Sequence, residues 1–182
     1  MNKPEELYKL FLVGNKDAFN EIIVIYQEQL TNFILGYVHD LDVAEDLAQD
    51  TFLYVLINQF EYDFKYSLKT YLYTIAKSRA INYLKREQRK VDFNESYMYE
   101  YEEIDFNKGL EKEYDIKIVR EGMKKLKQEY RTVIYLKDFQ NFEYKEICQI
   151  INRPMYQTKM LIHRARKSLK KKIEKGGYRY DE

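Results

Sequence analysis

Apolar residues recur every three or four positions along most of the chain, which is the spacing of amphipathic α-helices. The pattern predicts two helices within residues 5–38 and one over each of 42–56 and 68–90. Two more helices are predicted within residues 116–138. Apolar side chains at helical spacing are usually core, so the chain is predicted to be all-α.

The stretch from Glu143 to Lys170 predicts two further helices joined by a short turn. Ile147, Ile150 and Ile151 recur at helical spacing, and Asn152-Arg153-Pro154 then breaks the run. In the second helix Thr158, Ile162, Ala165 and Leu169 form an apolar back, and the other faces carry Tyr156, Gln157, Lys159, Met160, His163, Arg164 and Lys167. Such a pair is typical of a helix-turn-helix that reads the DNA major groove. It is equally typical of a basic amphipathic pair that only solvates itself.

Charge is sorted along the 182 residues, a length that permits one domain or two small ones. Residues 1–90 carry a net charge of −2, residues 91–115 of −7, and residues 116–182 of +10. A basic third is the footprint of a polyanion binder. The acidic stretch predicts a flexible linker between two small helical domains at 1–90 and 116–182, and it is a candidate autoinhibitory segment.

Composition narrows the class of protein further. The single cysteine, Cys148, is predicted to be a small buried hydrophobe, which suits a reducing cytosol and neither a disulfide framework nor a four-ligand metal site. No apolar run approaches the ~18 residues that span a bilayer, and the first residues are too acidic for a signal peptide. We therefore expect a soluble cytoplasmic protein without membrane insertion.

The helix over residues 42–56 gathers its acidic and amide side chains on one side. Asp42 is the predicted N-cap, and Glu45 would complete a capping box. The crowded set is Asp42, Glu45, Asp46, Gln49 and Asp50. Part of this charge stabilises the helix N-terminus, but the repulsion favours a surface kept for a basic partner. Metal binding is disfavoured, because His39 is the only histidine nearby.

Residues 58–70 are rich in aromatic side chains without helical spacing, which predicts a loop that carries exposed rings. Exposed rings beside positive charge form a stacking platform for unpaired bases. The alternative is that half of them plug the end of a helical bundle. The following helix carries six cations near its end, namely Lys77, Arg79, Lys85, Arg86, Arg89 and Lys90. That number exceeds what helix capping needs and favours phosphate contacts.

Three segments in this order resemble a known family. They are DVAEDLAQDTFLYVL (42–56), SLKTYLYTIAKSRAINYLKREQR (67–89), and the stretch from residue 126 to 170 that contains EICQIINRP and HRARKSLK. Together they resemble a bacterial RNA polymerase sigma factor of the extracytoplasmic-function (ECF) type. The resemblance implies two helical domains, region 2 and region 4, on a variable linker, with no active site, cofactor or metal of their own.

The resemblance also implies partners and residue roles. Asp42, Glu45, Asp46, Gln49 and Asp50 would dock on the clamp helices of the polymerase largest subunit, and region 4 would meet the flap of the second subunit. Tyr62, Tyr73, Ile75 and Ser78 would form the pocket for a flipped base of the minus-ten element, with Lys77, Arg79, Lys85 and Arg86 on the backbone. Tyr71 would also bind this element, by stacking during melting. Met160, His163 and Arg164 would face bases of the minus-thirty-five element, and Lys159 and Arg166 would take its phosphates. The same DNA-binding surface would include Tyr156, Gln157 and Lys167. An anti-sigma factor is the implied regulator, and an anti-sigma factor anchored in the membrane would hold the chain there.

The chain departs from the family pattern at several of these positions. Tyr71 stands where a tryptophan is usual, and Ser78 stands where asparagine is frequent. In the reader helix Tyr156-Gln157-Thr158 replaces a small Gly-Thr-Val start, and Met160-Leu161 replaces a Ser/Arg pair. The last change predicts apolar contacts in place of polar ones, so relatives do not predict the promoter sequence.

Three other classes of protein compete with this interpretation. An autonomous helix-turn-helix regulator would explain residues 116–182 but would leave the acidic helix and the aromatic loop without a role. An enzyme would need a phosphate loop, a nucleophile elbow or a metal-ligand spacing, and the sequence offers none of these. A helical adaptor that acts by charge alone would tolerate scrambling of the reader-helix surface.

Overall fold

The computed structural model describes the backbone of residues 3–91 and 113–175, and the side chains of residues 3–89 and 118–175. The chain divides into two compact units, residues 1–102 and 103–182. We call them the N-terminal and the C-terminal unit. Most of the predicted linker, with its suggested autoinhibitory role, lies outside the described residues.

The N-terminal unit consists of four helices in its described part. They are α1 (Lys3–Leu12), α2 (Lys16–Val38), α3 (Leu41–Ile57) and α4 (Leu68–Val91). Helix α2 contacts each of the other three and is the centre of the unit. Its predicted apolar stripe is confirmed, because Phe19, Ile22 and Leu30 are all buried. In the described part of the unit, α2 supplies more buried apolar side chains than any other helix.

The junction between α2 and α3 differs from the prediction by two residues. His39 adopts the left-handed conformation that ends α2, and Asp40 is the N-cap of α3. The Asp40 Oδ1 accepts a hydrogen bond from the Val43 backbone N–H at 3.0 Å. The prediction that Asp42 caps the helix is therefore wrong. The N-cap comes two residues earlier than predicted because His39 is the single left-handed residue that ends α2, and Asp40 directly after it has the extended conformation of an N-cap.

Helix α1 closes the unit and fixes both ends of the loop between α3 and α4. The Tyr8 hydroxyl donates to the Gln59 carbonyl oxygen at 2.8 Å. The Leu68 backbone N–H, at the start of α4, donates to Glu5 Oε1 at 2.8 Å. A carboxylate 63 residues away therefore binds one of the free N–H groups in the first turn of α4.

The described part of the C-terminal unit comprises α5 (Glu113–Lys124), α6 (Gln128–Ile134), a π-helical turn (Tyr135–Phe139), α7 (Tyr144–Ile151) and α8 (Met155–Lys175). The predicted helix-turn-helix is confirmed as α7 and α8. A reciprocal capping box of Glu143 and Glu146 opens α7. Asn152 ends it in the left-handed conformation, and Pro154 directly precedes α8.

Helix α8 packs on α5, α6 and α7, and its inner face supplies much of the core. The predicted inner positions Thr158, Ile162 and Ala165 are buried, and Leu169 is half-buried. Gly122 of α5 lies so close to α8 that a Cβ there would meet a carbon of Leu169 at 2.9 Å. Tight packing of its inner face fixes α8 on the unit and leaves its outer face exposed to solvent.

Candidate functional site

The acidic set on α3 forms one exposed ridge. Its members Asp42, Glu45, Asp46, Gln49 and Asp50 are all exposed. The opposite side of α3 is buried through Ala44, Ala48, Thr51, Phe52 and Val55. We call the five exposed residues the acidic ridge. Its arrangement on one face agrees with the prediction and leaves every carboxylate accessible to a partner.

One end of the acidic ridge is tied to the basic helix α4. Asp50 Oδ2 lies 3.6 Å from Arg79 Nη1, and the Arg79 guanidinium lies 5.3 Å from the Tyr54 ring centroid. The Tyr54 hydroxyl in turn donates to Glu61 Oε2 at 2.6 Å, and this hydrogen bond raises the pKa of Tyr54. Arg79, predicted to bind a DNA phosphate, is thus held between a carboxylate and a ring in this structure.

Further along, the ridge borders a groove of about 560 Å³ between α3 and α4. Asp46 and Gln49 line one wall, and Tyr83 and Arg86 line the other. The Arg86 guanidinium lies 5.5 Å from the Tyr83 ring centroid and remains largely exposed. The predicted polymerase-binding and DNA-binding side chains are therefore neighbours across this groove.

The aromatic loop buries some of the rings that were predicted to be exposed. Tyr62 is only 5% exposed, and its hydroxyl donates to the Tyr66 carbonyl oxygen at 2.7 Å. Burial raises the pKa of the Tyr62 hydroxyl above its ordinary value. Its ring stacks on that of Tyr71 at 5.1 Å, and burial raises the pKa of Tyr71 to about 12. The expected exposure is wrong for Tyr62, because the ring closes the end of the bundle.

Tyr73 is also a core residue in this structure. It is fully buried, and its ring centroid lies 4.9 Å from that of Phe33 on α2. An extruded base could reach Tyr62 or Tyr73 only if these rings left the core. The assignment of Tyr62 and Tyr73 to the base pocket stays a prediction, and it requires these side chains to leave the core.

Phe60 and Phe64 are the more accessible phenylalanines of the loop. Phe60 is 79% exposed, whereas Phe64 is 38% exposed and packs on Tyr62 at 4.5 Å. Phe64 has a φ of 58°, a left-handed conformation that a bulky residue rarely adopts. The ring packing holds that conformation, so Phe64 is fixed while Phe60 is free to meet a ligand.

The remaining predicted residues of α4 lie toward its surface. Ile75 and Lys77 are half-buried, and Ser78, Lys85 and Arg86 are exposed. Ser78 and Lys85 are two helical turns apart and therefore share a side of α4. This side is free for contact with a polyanion.

A second groove, of about 910 Å³, lies beside the acidic ridge and was not predicted from the sequence. It runs between α1, α2 and α3, and Phe19, Phe52 and Leu56 line it. Gln49 of the ridge forms part of its wall, and the neighbouring Leu53 is 51% exposed. Apolar side chains on the outer side of α3 were the signal for it, since they interrupt an otherwise acidic face.

The reader helix α8 exposes its predicted front. Tyr156 is 67% and Met160 51% exposed, and Gln157, Lys159, His163, Arg164, Arg166 and Lys167 are also exposed. Leu161, by contrast, is only 9% exposed. The prediction that the Met160-Leu161 pair offers two apolar contacts is therefore wrong for Leu161, which lies on the inner face of α8.

Two cations of the predicted DNA-facing set have partners inside the unit. Arg166 forms a two-point ion pair with Asp138 of the π-helical turn, in which Nε lies 3.1 Å from Oδ2. This hydrogen bond raises the pKa of the Arg166 guanidinium. Lys159 Nζ lies 5.7 Å from the Tyr144 ring centroid. Arg166 thus links α8 to the π-helical turn, and its guanidinium is less available to phosphates than that of an unpaired arginine.

Comparison with known proteins gives the same two units. Residues 22–90 match the family model of Sigma-70 region 2, and residues 116–169 match that of Sigma-70 region 4. Region 2 thus covers the acidic ridge, the aromatic loop and α4, and region 4 covers the helix-turn-helix. The chain belongs to the sigma-70 family of RNA polymerase sigma factors.

Two similar relatives specify the group within that family. RNA polymerase sigma factor YlaC of Bacillus subtilis is 30% identical over 168 residues, which are 88% of this chain and 95% of the relative. ECF RNA polymerase sigma factor SigW of the same organism is 30% identical over 175 residues, 88% of this chain and 91% of the relative. The chain is an ECF sigma factor, a protein that directs promoter-specific initiation of transcription, and this confirms the predicted family.

Two solved structures share the fold. The sigma factor RpoE from Bartonella quintana, co-crystallised with the anti-sigma factor NepR, has a TM-score of 0.74 at 22% identity and covers 86% of this chain and 96% of its own. CnrH in complex with the cytosolic domain of CnrY has a TM-score of 0.66 at 17% identity and covers 92% and 95%. The all-α fold predicted from the sequence is confirmed.

Within residues 3–91 and 113–175, no helix is long and apolar enough to cross a membrane. The same residues hold no group of three His, Cys, Asp or Glu side chains placed to bind a metal ion.

Proposed function

We propose that the two units divide promoter recognition between them. Within the N-terminal unit, residues 1–90 bind the polymerase core and open the minus-ten element. Within the C-terminal unit, residues 116–182 bind the minus-thirty-five element as intact duplex. The polymerase supplies all of the catalysis, and this chain acts in the cytoplasm as a non-catalytic specificity factor.

The observation that carries the proposal is the exposed acidic ridge on α3, within the region 2 match. Four carboxylates on one helical face repel one another, so a basic partner would stabilise them. The exposed Leu53 and Leu56 beside the ridge supply an apolar contact next to the charged one. An apolar centre with a charged rim is the usual anatomy of a protein interface. We assign this surface to the clamp helices of the largest polymerase subunit.

Promoter opening is assigned to the aromatic loop and to the exposed side of α4. Extruding a base from the stack costs a few kcal/mol, and stacking on a protein ring returns ~1–3 kcal/mol per base. Phe60 is the accessible ring for this purpose. Ser78, Lys85 and Arg86 are exposed on α4, the helix that follows the aromatic loop, and would contact the separated strand.

Recognition of the minus-thirty-five element is assigned to α8. The exposed residues in its first turns, Tyr156, Gln157 and Met160, are placed as the base-contacting residues of a recognition helix are. His163 and Arg164 continue this surface by one turn. Each good bidentate base contact discriminates by ~1–3 kcal/mol. Because one chain joins the two units, the modest binding of each unit to its own promoter element reinforces that of the other through effective concentration.

We also propose that an anti-sigma factor regulates this chain. The support is that both structural neighbours were solved as complexes, RpoE with the anti-sigma factor NepR and CnrH with the cytosolic domain of CnrY. An anti-sigma factor with a membrane anchor would hold this chain at the membrane, although the chain itself would remain outside the bilayer.

Run-off transcription tests the proposal directly. Core polymerase plus this protein should initiate at a small set of sites in genomic fragments, and core alone should not. A variant with Asp46 replaced by lysine serves as the control that separates polymerase-dependent initiation from contamination. If no new start site arises, the proposal is wrong. If the purified chain alone footprints a palindromic duplex, the autonomous-regulator interpretation replaces it.

A further inference from the structure

The outer face of α8 carries two large apolar side chains at the position where a recognition helix meets base edges. Tyr156 and Met160 are the second and sixth residues of the helix and are 67% and 51% exposed. Residues four apart on a helix lie side by side, so the two form one apolar strip. Because the strip lies on the face that a recognition helix presents to DNA, we take it as a candidate contact surface.

Charge around the strip favours nucleic acid over protein as its partner. The exposed cations Lys159, Arg164 and Lys167 surround it on the same helix. An apolar strip bordered by like charge is complemented by a polyanion that also offers an apolar group. A DNA major groove provides both, because phosphates line its edges and base pairs line its floor.

The floor of the major groove offers mostly hydrogen-bond donors and acceptors. Guanine, adenine and cytosine present ring nitrogens, carbonyl oxygens or amino groups there, and thymine alone adds a 5-methyl group. Tyr156 and Met160 therefore match thymine better than any other unmodified base. Gln157 differs, because its amide suits a polar base edge.

We propose that Tyr156 and Met160 select the minus-thirty-five element by packing on the 5-methyl groups of thymines. The inference rests on the proposed role of α8 and adds to it the chemical group that is read. It also accounts for Met160 at a position where the family pattern has a polar residue. Leu161 takes no part, because it faces the core.

Replacing thymine by deoxyuridine tests the inference, because the exchange removes the methyl group and leaves every hydrogen-bonding atom in place. The probe is a duplex promoter fragment on which the holoenzyme starts transcription, with each thymine of the minus-thirty-five element replaced singly. Burial of one methyl group strengthens binding about fourfold. We expect the wild-type holoenzyme to lose about that factor in affinity at one or two positions.

The variants identify the side chain responsible. Met160→Ala should bind the thymine duplex more weakly than wild type and should no longer respond to deoxyuridine at the position it contacts. Tyr156→Ala should behave likewise at its own position. Val24→Ala is the matched control, since it truncates an exposed apolar side chain of α2, outside the helix-turn-helix, and should keep the full response to deoxyuridine. Circular dichroism of each variant should show unchanged helical content.

The outcomes separate this inference from the proposed function. If the holoenzyme initiates transcription but no deoxyuridine substitution weakens its binding, the strip does not read methyl groups and the inference fails alone. If Met160→Ala weakens thymine and deoxyuridine duplexes equally, the contact is with another part of the DNA. If the variants change only assembly with a protein partner, the strip is a protein-docking surface. Absence of any initiation would instead refute the proposed function.

Discussion

Phe60 is the most accessible phenylalanine of the aromatic loop, and it gives a sharp test of how the N-terminal unit opens DNA. It is 79% exposed, whereas Tyr73 is fully buried against Phe33. Truncating Phe60 is therefore expected to affect DNA binding, and truncating Tyr73 is expected to affect folding. Phe60→Ala should impair promoter opening in a folded protein, and Tyr73→Ala should unfold the unit.

The expected magnitudes follow from these exposures. Stacking of one base on a protein ring contributes ~1–3 kcal/mol, so Phe60→Ala should weaken binding of the unpaired minus-ten strand by about 5- to 150-fold. Because most of the Phe60 ring is already in water, its loss should change stability by less than about 0.5 kcal/mol. Truncating a buried aromatic ring costs about 3–5 kcal/mol, which is the expectation for Tyr73→Ala.

The assay combines a strand-binding measurement with a stability measurement. Holoenzyme binding to a single-stranded minus-ten oligonucleotide labelled with 2-aminopurine reports stacking, and urea unfolding of the free chain reports stability. Val24→Ala is the matched control, because Val24 is an apolar residue of α2 that is 81% exposed. It should change neither quantity.

The reasoning is refuted if Phe60→Ala opens promoters as wild type does while Tyr73→Phe, folded and stable, does not. In that case the buried tyrosines would leave the core to hold the base, as the family resemblance implies. Equal, small effects of both changes would show that the loop has no stacking role.

Three further predictions concern the charged surfaces. Asp46→Lys should abolish co-purification with core polymerase at unchanged helical content, because a like charge facing a basic partner costs several kcal/mol; Asp17→Lys, a reversal in the first turn of α2, should not. Arg166→Gln should leave the salt dependence of duplex binding nearly unchanged, because its guanidinium pairs within the unit. A double-mutant cycle of Asp50→Asn and Arg79→Gln, measured on polymerase-dependent DNA binding, should give a coupling energy of about 0.2–1 kcal/mol, the range for exposed ion pairs.

Matched controls make these results decisive. Lys167→Gln should lower the slope of log affinity against log salt by about one, the value for one phosphate contact. If Arg166→Gln lowers it equally, Arg166 leaves Asp138 when DNA binds. Retention of core polymerase by Asp46→Lys would remove the acidic ridge from the polymerase interface. A coupling energy near zero would make Asp50 and Arg79 independent.

Much of the fold could be predicted from the sequence because it depends on local patterns. Apolar residues at helical spacing located the α2 stripe, and the break at Asn152-Arg153-Pro154 located the turn of the helix-turn-helix. The start of α3 could not be fixed, since Asp40 and Asp42 are both good N-caps and the choice depends on how α2 ends.

The parts of the site that the sequence could not show depend on distant partners. Tyr62 lies in a loop without periodicity, so no pattern could show that its ring closes the bundle. Arg166 resembles its basic neighbours in sequence, and its carboxylate partner Asp138 is 28 residues away. The apolar groove beside the acidic ridge is likewise formed by side chains of three helices, so no single stretch of sequence indicates it. A single sequence places side chains on helical faces but does not assign their long-range contacts.

The ion pair between Asp50 and Arg79 bears on the order in which the N-terminal unit engages its partners. The carboxylate belongs to the ridge assigned to polymerase, and the guanidinium belongs to the helix assigned to DNA. The pair is separated by 3.6 Å, and the Asp50 side chain is 56% exposed, so breaking it costs little. A basic polymerase surface that takes Asp50 would leave Arg79 on the Tyr54 ring without its carboxylate and more attractive to a phosphate. By linkage, phosphate binding would favour polymerase binding by the same free energy. A coupling below about 1 kcal/mol is at most about fivefold in affinity, so it can bias the order of assembly without making either contact obligatory.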